Sequence, residues 1–499
     1  MSIERFGSRY ALIAAAVAMA VGTGNIWRFP RVAAEYGSGT FLIVLVLAAV
    51  IFAVPLLMTE SLLGSKSRLG TVGAFRDFMG QRFSWAGGFM GMVTIGIMFY
   101  YSVICGWALY YFAHSMTGTF ADPNLDTEAM QSMWDGFTGT PWQTILFHLA
   151  AILLVGAIVV RGLKRGFEGL LKIALPVLFV ILLVLMVRAV TLPGSGAGLA
   201  HLFTVRPEEF ANPRVWLEAF TQVAFSTGAG WGLYLTYSVY SRKREDMAGN
   251  AAIITVGDLL AGLIAGVTVL CTLFALTTVA QAEEALGAEE GLAFIYFAGL
   301  FGEMPGGVVF APLFFLAVAL AGVSSLIAMV ELATRNVMDL GATRQRAVVG
   351  VVIVTFIVGI PSAVSMDVFS NQDNVWGFGL LASGALACVA MWKYGIGRAR
   401  AELDAVSPVR MGAWWAACTA ILPVLIAGLF GWWMWTLAMD PDIQAWNPLE
   451  PFSPASIAMQ WGILLIILLV ANNWLSRRIQ RGPMSGGTEP SETTSESDA

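Results

Sequence analysis

Ala18-Met-Ala-Val-Gly22-Thr-Gly24-Asn25-Ile-Trp-Arg28-Phe-Pro30 sets two glycines, an amide, a guanidinium and a proline inside the first long apolar run of the chain. A second stretch, Gln222-Val-Ala-Phe225-Ser226-Thr-Gly228-Ala-Gly230-Trp231-Gly232, interrupts a later run in the same way. Glycine is common in membrane helices as a packing residue, so one such interruption carries little weight. Two of them, five apolar runs apart, are the pattern expected when each half of a repeated bundle opens with a helix that unwinds near the bilayer midplane. Unwinding frees N–H and C=O groups that lipid cannot satisfy, so they must face a ligand or a polar cavity. Half-helix N-termini favour a carboxylate, and the free carbonyls of half-helix C-termini favour a cation. The two breaks therefore suggest an anionic or zwitterionic solute bound beside a small cation.

Outward from the breaks, the chain reads as a membrane protein. Of its 499 residues 57% are apolar and only 12% charged, about half the charge share of an ordinary globular protein. Apolar runs recur from Ala11 to Val470, each long enough to cross ~30 Å of hydrocarbon as a helix. They predict twelve spans, at 8–34, 39–64, 84–116, 141–160, 167–190, 215–240, 249–279, 307–339, 346–363, 374–395, 411–438 and 455–475. Most of the 28 lysines and arginines fall on the side of the N-terminus: Arg5 and Arg9, then Lys66, Arg68, Arg76 and Arg82, then Arg161, Lys164, Arg165 and Lys172, then Arg242, Lys243 and Arg244. Arg335, Arg344, Arg346, Lys393, Arg398, Arg400, Arg410, Arg477, Arg478 and Arg481 continue the pattern. This excess predicts that both termini are cytoplasmic. The opposite loops are acidic, from Asp122 to Asp135 and at Glu283, Glu284, Glu289 and Glu290, and read first as a solvated face.

Several function classes drop out. The net charge of −5 comes mostly from the last residues, where Glu489, Glu492, Glu496 and Asp498 have no neighbouring base; this Ser/Thr-rich tail reads as disordered. Nothing resembles the concentrated basic face of a nucleic-acid binder. Cys105, Cys271, Cys388 and Cys418 stand apart inside apolar runs, as small buried hydrophobes do. His114, His148 and His201 lack metal-ligand spacing, and no nucleophile with a base or metal cluster is visible, so an enzyme is not expected. The first apolar run carries Gly22, Gly24, Asn25, Arg28 and Pro30 where a cleavable signal would have a short clean core.

Gly22-Thr-Gly24-Asn25-Ile-Trp-Arg28-Phe-Pro30, followed by Tyr36-Gly-Ser-Gly-Thr-Phe41, closely resembles the signature of the neurotransmitter:sodium symporter family in its bacterial LeuT-like branch. Phe99-Tyr-Tyr101 in the third span, the string from Gln222, and Ala321-Gly-Val-Ser-Ser325 in the eighth also match, and the resemblance runs from about Ser8 to Trp474. It implies an all-α integral membrane protein of twelve transmembrane helices, a LeuT-like 5+5 inverted repeat with helices 1 and 6 broken, in the cell's inner (plasma) membrane. The expected organisation is an N-terminus at 1–7, a first repeat at 8–190, an external loop at 191–214, a second repeat at 215–395, two further helices at 396–475 and the tail at 476–499.

The family's sites carry over residue by residue. One sodium is implied between the first break and helix 8, at the carbonyls of Ala18, Val21 and Ala321 and the hydroxyls of Ser324 and Ser325; oxygen ligands suit a hard monovalent cation. Taken without the family, adjacent serines in an apolar helix more often bond the preceding turn. A second sodium is implied at the Ala20 carbonyl, Asn25, Ser226 and position 258, with the substrate carboxylate as a further ligand, so that ion and solute each complete the other's site. Position 258 is Asp258, where many relatives carry Asn. The tyrosine that helps hold chloride in animal relatives corresponds to Leu45, while Gln222 is retained. Asp258 is therefore expected to supply the negative charge, directly or through proton exchange, with no chloride required. Sodium, with two ions expected, is thus the coupled ion.

For the solute, the amides of Thr23 and Gly24 with the Tyr101 hydroxyl resemble the carboxylate clamp of amino-acid members, and the carbonyls of Ala20, Phe225 and Ser226 would receive an ammonium. Monoamine carriers have an aspartate at the position of Gly22, so an amino acid is favoured over a decarboxylated amine. The side-chain pocket implied by Val17, Ile97, Phe225, Gly228, Trp231, Ser325 and Met329 is apolar and fits a neutral hydrophobic or aromatic side chain. Arg28 with Asp373, or with Asp367, resembles the external gate, the family's acid aligning nearer Asn374; Tyr101 and Phe225 would form a lid. Arg5 and Phe6 facing Asp339 and Tyr240 resemble the cytoplasmic gate. Glu60 is expected to accept amides freed by the helix 6 break. Glu331 either lines the inner pathway or pairs with a neighbour, and Gly166 with Pro176 has the spacing at which relatives unwind helix 5. Expected partners are a small-molecule amino acid and the lipid bilayer, with a homodimer left open and no nucleic acid. Alternatives on the same fold are a carrier of another amine or osmolyte and a non-transporting amino-acid sensor.

Overall fold

A computed structural model describes residues 4–122, 125–242, 244–288, 291–410, 412–441 and 443–487. Lys243, Glu289, Glu290 and the tail acids Glu489, Glu492, Glu496 and Asp498 lie outside the described residues.

The first apolar run is two helices with a gap. Ser8 caps Arg9–Ala20 by accepting from the Ala11 amide, and the helix stops at Val21, whose ψ of 86° is not helical. The chain resumes as Thr23–Ile26 and Arg28–Glu35. In the second interrupted run Asn212 caps Pro213–Ser226, whose proline stands in the first turn where its missing N–H has no intrahelical partner to lose. Gly228, Gly230 and Gly232 then take φ of +72°, +91° and +77°, backbone that a side chain would strain, before the helix restarts as Leu233–Val239.

Among the described residues ten further helices are long and apolar enough to cross a membrane. They are Gly39–Ser67, Gln81–Ser115, Pro141–Val159, Leu163–Val190, Met247–Leu276, Gly307–Asp339, Arg344–Val364, Met366–Tyr394, Gly412–Met439 and Pro454–Arg478. No β-sheet forms among the described residues; a lone antiparallel bridge joins Ser38 to Val205. Val180, Ile253, Val354 and Ile467 are among the large apolar side chains left outward, as a bundle solvated by lipid requires.

The two longest uninterrupted helices, Ser84–Ser115 and Gly307–Asp339, pack along one another and form the wall that faces the breaks. Small residues set the distance. A Cβ on Gly322 would stand 3.0 Å from Cys105 Sγ and 3.2 Å from Thr23 Cγ2, and one on Gly64 would overlap the Leu235 carbonyl oxygen. Close backbone approach of this kind drives helix association where no hydrophobic effect operates.

Three boundaries differ from the sequence reading. The tenth long run begins at Met366 rather than 374: Ser365 caps it, accepting from the Val368 amide, and Asp367 in its first turn suits the positive helix end. Its polar turn, Asn371 to Asn374, is helix that bonds to its neighbours rather than loop. Gly166 is non-helical, at φ −102° and ψ −105°, within a wide turn at Leu163–Glu168, while Pro176 sits in continuous helix. The tail expected from 476 is ordered as far as 487: the helix runs to Arg478, and the segment beyond folds back onto Arg76, which donates to the carbonyls of Ile479 and Gln480 at 2.8 Å each.

Candidate functional site

A helix that ends in mid-membrane leaves its last carbonyls and the next helix's first amides without intrahelical partners. At the first break, the Gly22 amide donates to Asn25 Oδ1 at 3.0 Å, and the Thr23 amide and hydroxyl donate to the Tyr101 hydroxyl at 3.2 and 3.0 Å. The Met19 carbonyl accepts from Ser325 at 3.0 Å. Ser324 bonds back to the Ala321 carbonyl at 3.0 Å, the local bond that such a serine makes in any helix. Ala18, Val21, Ala321, Ser324 and Ser325 are all buried, and the helix bearing the first two packs on the helix bearing the others.

Asp258, on Met247–Leu276, joins the two breaks. It accepts from Asn25 Nδ2 at 2.7 Å with one carboxylate oxygen and from Ser226 Oγ at 2.8 Å with the other. The residue is 1% exposed, and neither partner carries charge. A buried carboxylate held only by neutral donors calls for a positive counter-charge. Asn25, Ser226 and Asp258 are thus joined in one buried hydrogen-bonded group, and Ala20, on the helix before the first break, is buried as well. Among the described residues no group of three or more His, Cys, Asp and Glu could hold a metal ion.

At the second break, Glu60 takes up the freed amides. Its carboxylate accepts from Gly230 at 2.8 Å, Gly232 at 3.1 Å and Leu235 at 3.1 Å, and it is fully buried. The Trp231 indole donates to the Ala224 carbonyl at 2.8 Å, and Thr94 donates to the Trp231 carbonyl at 2.6 Å, so the unwound segment is fixed from both sides.

Between the breaks lies a cavity lined by Met19, Ala20, Gly22, Gly24, Asn25, Tyr101, Phe225, Ser226, Gly228, Trp231, Leu233, Ser325 and Met329. It holds most of the residues expected from the sequence and adds Met19 and Leu233. Three expected residues are elsewhere: Thr23 is buried beside the cavity, bonded to the Tyr101 hydroxyl. Ile97 is buried outside the lining, and Val17 turns to the neighbouring helix, where a Cβ on Gly257 would stand 2.9 Å from its Cγ1. The cavity is small, about 20 Å³, enough for one water-sized sphere. Gly24 is needed for this closeness: a Cβ there would stand 2.8 Å from the Phe225 ring. A Cβ on Gly22 would stand 3.0 Å from Ser325 Oγ and 3.1 Å from the Tyr101 hydroxyl.

At both expected gates the structure shows partners that the sequence reading did not name. Above the cavity Arg28 pairs with Glu218 at 3.2 Å and donates to Gln222 Oε1 at 2.5 Å, with its guanidinium 5.9 Å over the Phe225 ring. Asp373 lies within electrostatic reach of the same guanidinium. Glu218 was legible: it falls one helical turn before Gln222, on the face that carries Phe225 and Ser226. On the side of the N-terminus, Asp339 pairs with Arg335 at 2.8 Å and accepts from the Gly70 amide at 2.6 Å. Arg335 lies one turn before Asp339 on the same helix, the spacing at which such side chains meet. Phe6 is buried between Phe167 and Tyr237, and its amide donates to the Tyr240 carbonyl at 3.1 Å. Glu331 accepts from the Tyr240 hydroxyl at 2.5 Å and pairs with Arg344. Nothing in the sequence pointed to Arg344, since that pairing is made across the turn between two helices.

The model of the sodium:neurotransmitter symporter family matches residues 3–129 and 126–480 of the chain. An uncharacterized sodium-dependent transporter of Methanocaldococcus jannaschii is 28% identical over 445 residues, covering 85% of this chain and 89% of that protein. The sodium-dependent serotonin transporter of Drosophila melanogaster is 26% identical over 472 residues, covering 86% and 76%. Among solved structures, that of MhsT in complex with L-phenylalanine superposes with a TM-score of 0.77 at 26% identity, covering 86% of this chain and 99% of that one.

Proposed function

This chain belongs to the sodium:neurotransmitter symporter family, and from that premise we propose that it imports a neutral, hydrophobic or aromatic L-amino acid with sodium by alternating access, without chloride. It is a multi-pass membrane transporter and not an enzyme; the inner membrane, with both termini in the cytoplasm, is the setting that the basic residues support. The observation that carries the reading is Asp258, buried and bonded only to neutral Asn25 and Ser226 beside the break of helix 1. A cation at that point neutralises the carboxylate, and the amino acid's own carboxylate completes the cation's oxygens. Neither is held well without the other, which is the coupling.

The solute carboxylate would be bound by the Thr23 and Gly24 amides and the Tyr101 hydroxyl, displacing the present Thr23–Tyr101 bonds. Its ammonium would meet carbonyls of Ala20, Phe225 and Ser226. With Gly22 rather than an acid there, a substrate must bring its own negative charge. Phe225, Trp231 and Met329 line the apolar end; rotation of Phe225 and Met329 makes room for a side chain, and Met is suited to such repacking. A second sodium between Ala18, Val21, Ala321, Ser324 and Ser325 would hold the break of helix 1 against helix 8. Two sodium ions entering with a zwitterion release about 7 kcal/mol at ~100 mV and a tenfold gradient, enough for a solute ratio on the order of 10⁵.

The test is uptake of a labelled amino-acid panel into proteoliposomes carrying an inward sodium gradient, with chloride or gluconate outside. Sodium-dependent uptake of neutral apolar amino acids, equal in both anions, is expected. Uptake indifferent to sodium, or one that needs chloride, overturns it.

A further inference from the structure

Away from the transport pathway, the helices Ser84–Ser115 and Arg344–Val364 touch at one level and part at another. At Gly359 they are in contact, since a Cβ there would stand 2.7 Å from the Phe99 carbonyl oxygen. One turn lower, Thr355 Oγ1 stands 3.9 Å from Met98 Sδ. At Gly350, nearer the edge that carries the basic residues, an added Cβ would meet nothing within 4 Å.

The gap between them is a groove of about 500 Å³, walled further by Ala333 and Val337 of Gly307–Asp339 and by Leu468 and Leu475 of Pro454–Arg478. Val337, Leu340 and Val354 line it and are exposed, so it opens sideways to the bilayer. Its polar side chains are Asn336, Thr355 and Arg346. Asn336 donates to the Leu332 carbonyl at 3.1 Å and accepts from the Thr71 hydroxyl at 3.2 Å, and Thr355 donates to the Val351 carbonyl at 2.7 Å. Arg346 is exposed at the mouth, and nothing among the described residues pairs with it. The nearby acids Glu331 and Asp339 are buried and already paired, with Arg344 and Arg335.

We propose that this groove binds one anionic phospholipid of the leaflet at that edge, with an acyl chain between the helices and the phosphate on Arg346. The depth matches: the helix from Arg346 to Thr355 rises ~14 Å, and one leaflet contributes about half of a ~30 Å hydrocarbon layer. The volume lies in the range of about 300–1,000 Å³ for clefts that hold a small molecule. The mouth matches as well, because a guanidinium presents paired N–H donors to phosphate, and basic pockets between membrane helices receive anionic headgroups. A helix of a second copy, about 10 Å across with its side chains, would cover the groove without reaching its deep end beside Met98.

The test is native mass spectrometry of the full chain in detergent, titrated with phosphatidylglycerol or with phosphatidylcholine of the same acyl chains. It reads lipid binding whether or not the transport reading holds. Wild type should retain one phosphatidylglycerol and prefer it about fivefold, the factor that one basic residue near the surface contributes; R346Q should lose the preference. G350L fills the open space with a good helix former and should weaken both lipids several-fold, because packing is what holds a chain between membrane helices. V349L, on the neighbouring lipid-facing position, should match the wild type. Phosphatidylglycerol with a diazirine at the end of its chain should label the wild type around Met98 and Thr355, a measurement that needs no variant. An unchanged preference in R346Q overturns the proposal, as does labelling spread over other outward faces. So does a dimer that G350L dissociates with lipid binding unchanged, which would give the groove to a second copy.

Discussion

Asn25 Nδ2 stands 2.7 Å from Asp258 Oδ1, and the other oxygen of the same carboxylate takes the Ser226 hydroxyl at 2.8 Å. Asn25 belongs to the first broken helix and Ser226 ends the first half of the second. One buried acid therefore fixes the spacing of the two unwound segments, and any change in its charge is felt at both. In the proposed mechanism structure and coupling meet at this residue, because the group assigned to the cation also ties together the two breaks that flank the cavity.

Replacing Asp258 by Asn keeps its size and removes its charge. Losing the charge that a buried cation relies on costs several kcal/mol, so D258N should lower sodium-dependent uptake at least about tenfold, and chloride should stimulate what remains. Ser226→Ala removes one hydrogen bond of about 1 kcal/mol and should lower uptake only a few-fold. Sodium titrations of uptake in chloride and in gluconate separate the two.

Gly24→Ala tests the closeness of the breaks. The added methyl would stand 2.8 Å from Phe225 Cε1, an overlap of the kind that costs about 1–3 kcal/mol in a packed interior. Substrate KM should rise about tenfold, and the double variant G24A/F225L should recover much of the loss because leucine vacates the ring's edge. KM for the transported amino acid in all three variants checks this.

The breaks were legible because glycines and polar side chains clustered inside an apolar run make a poor continuous helix in lipid, and Asp258 because an ionisable residue in mid-span is costly to keep. The gate partners were less so. Sequence gives a residue's place along its own helix, but Arg28 chooses among Glu218, Gln222 and Asp373 by distances that depend on how three helices cross. Asp339 found Arg335 one turn away, a pairing the i, i+4 rule offers and the resemblance overlooked. Arg344 and Glu331 are joined by helix packing alone, for which a single sequence holds no signal. The tail shows the opposite limit: its composition reads as disorder, yet the first part of it is ordered by Arg76, a residue some 400 positions earlier.

Glu60→Gln probes the second break. Oε1 of Glu60 accepts from Gly230 and Gly232 and Oε2 from Leu235; a glutamine has one acceptor oxygen and turns an NH2 toward at least one of these amides. A buried donor left unmatched costs about 1–3 kcal/mol, so the apparent Tm in detergent should fall by about 2 °C or more. Glu60→Asp, which keeps both oxygens on a shorter stem, should fall less if the loss is one of acceptors.

The inner network ranks its own variants. Tyr240→Phe removes a hydroxyl 2.5 Å from Glu331 Oε1 but leaves Arg344 to neutralise the carboxylate, so the loss is that of one charge-assisted hydrogen bond, about 1.5–3 kcal/mol. Arg344→Gln leaves the fully buried Glu331 without its cation, a change of about 3–5 kcal/mol. Stability to heating and to detergent should therefore fall in the order Y240F, then R344Q. Adding Glu331→Gln to R344Q should restore part of the loss, because the uncompensated charge is gone. A double-mutant cycle over Glu331 and Arg344 should return a coupling energy of about 1 kcal/mol or more; additive losses would mean that the pair, though in contact, does not hold the inner side closed.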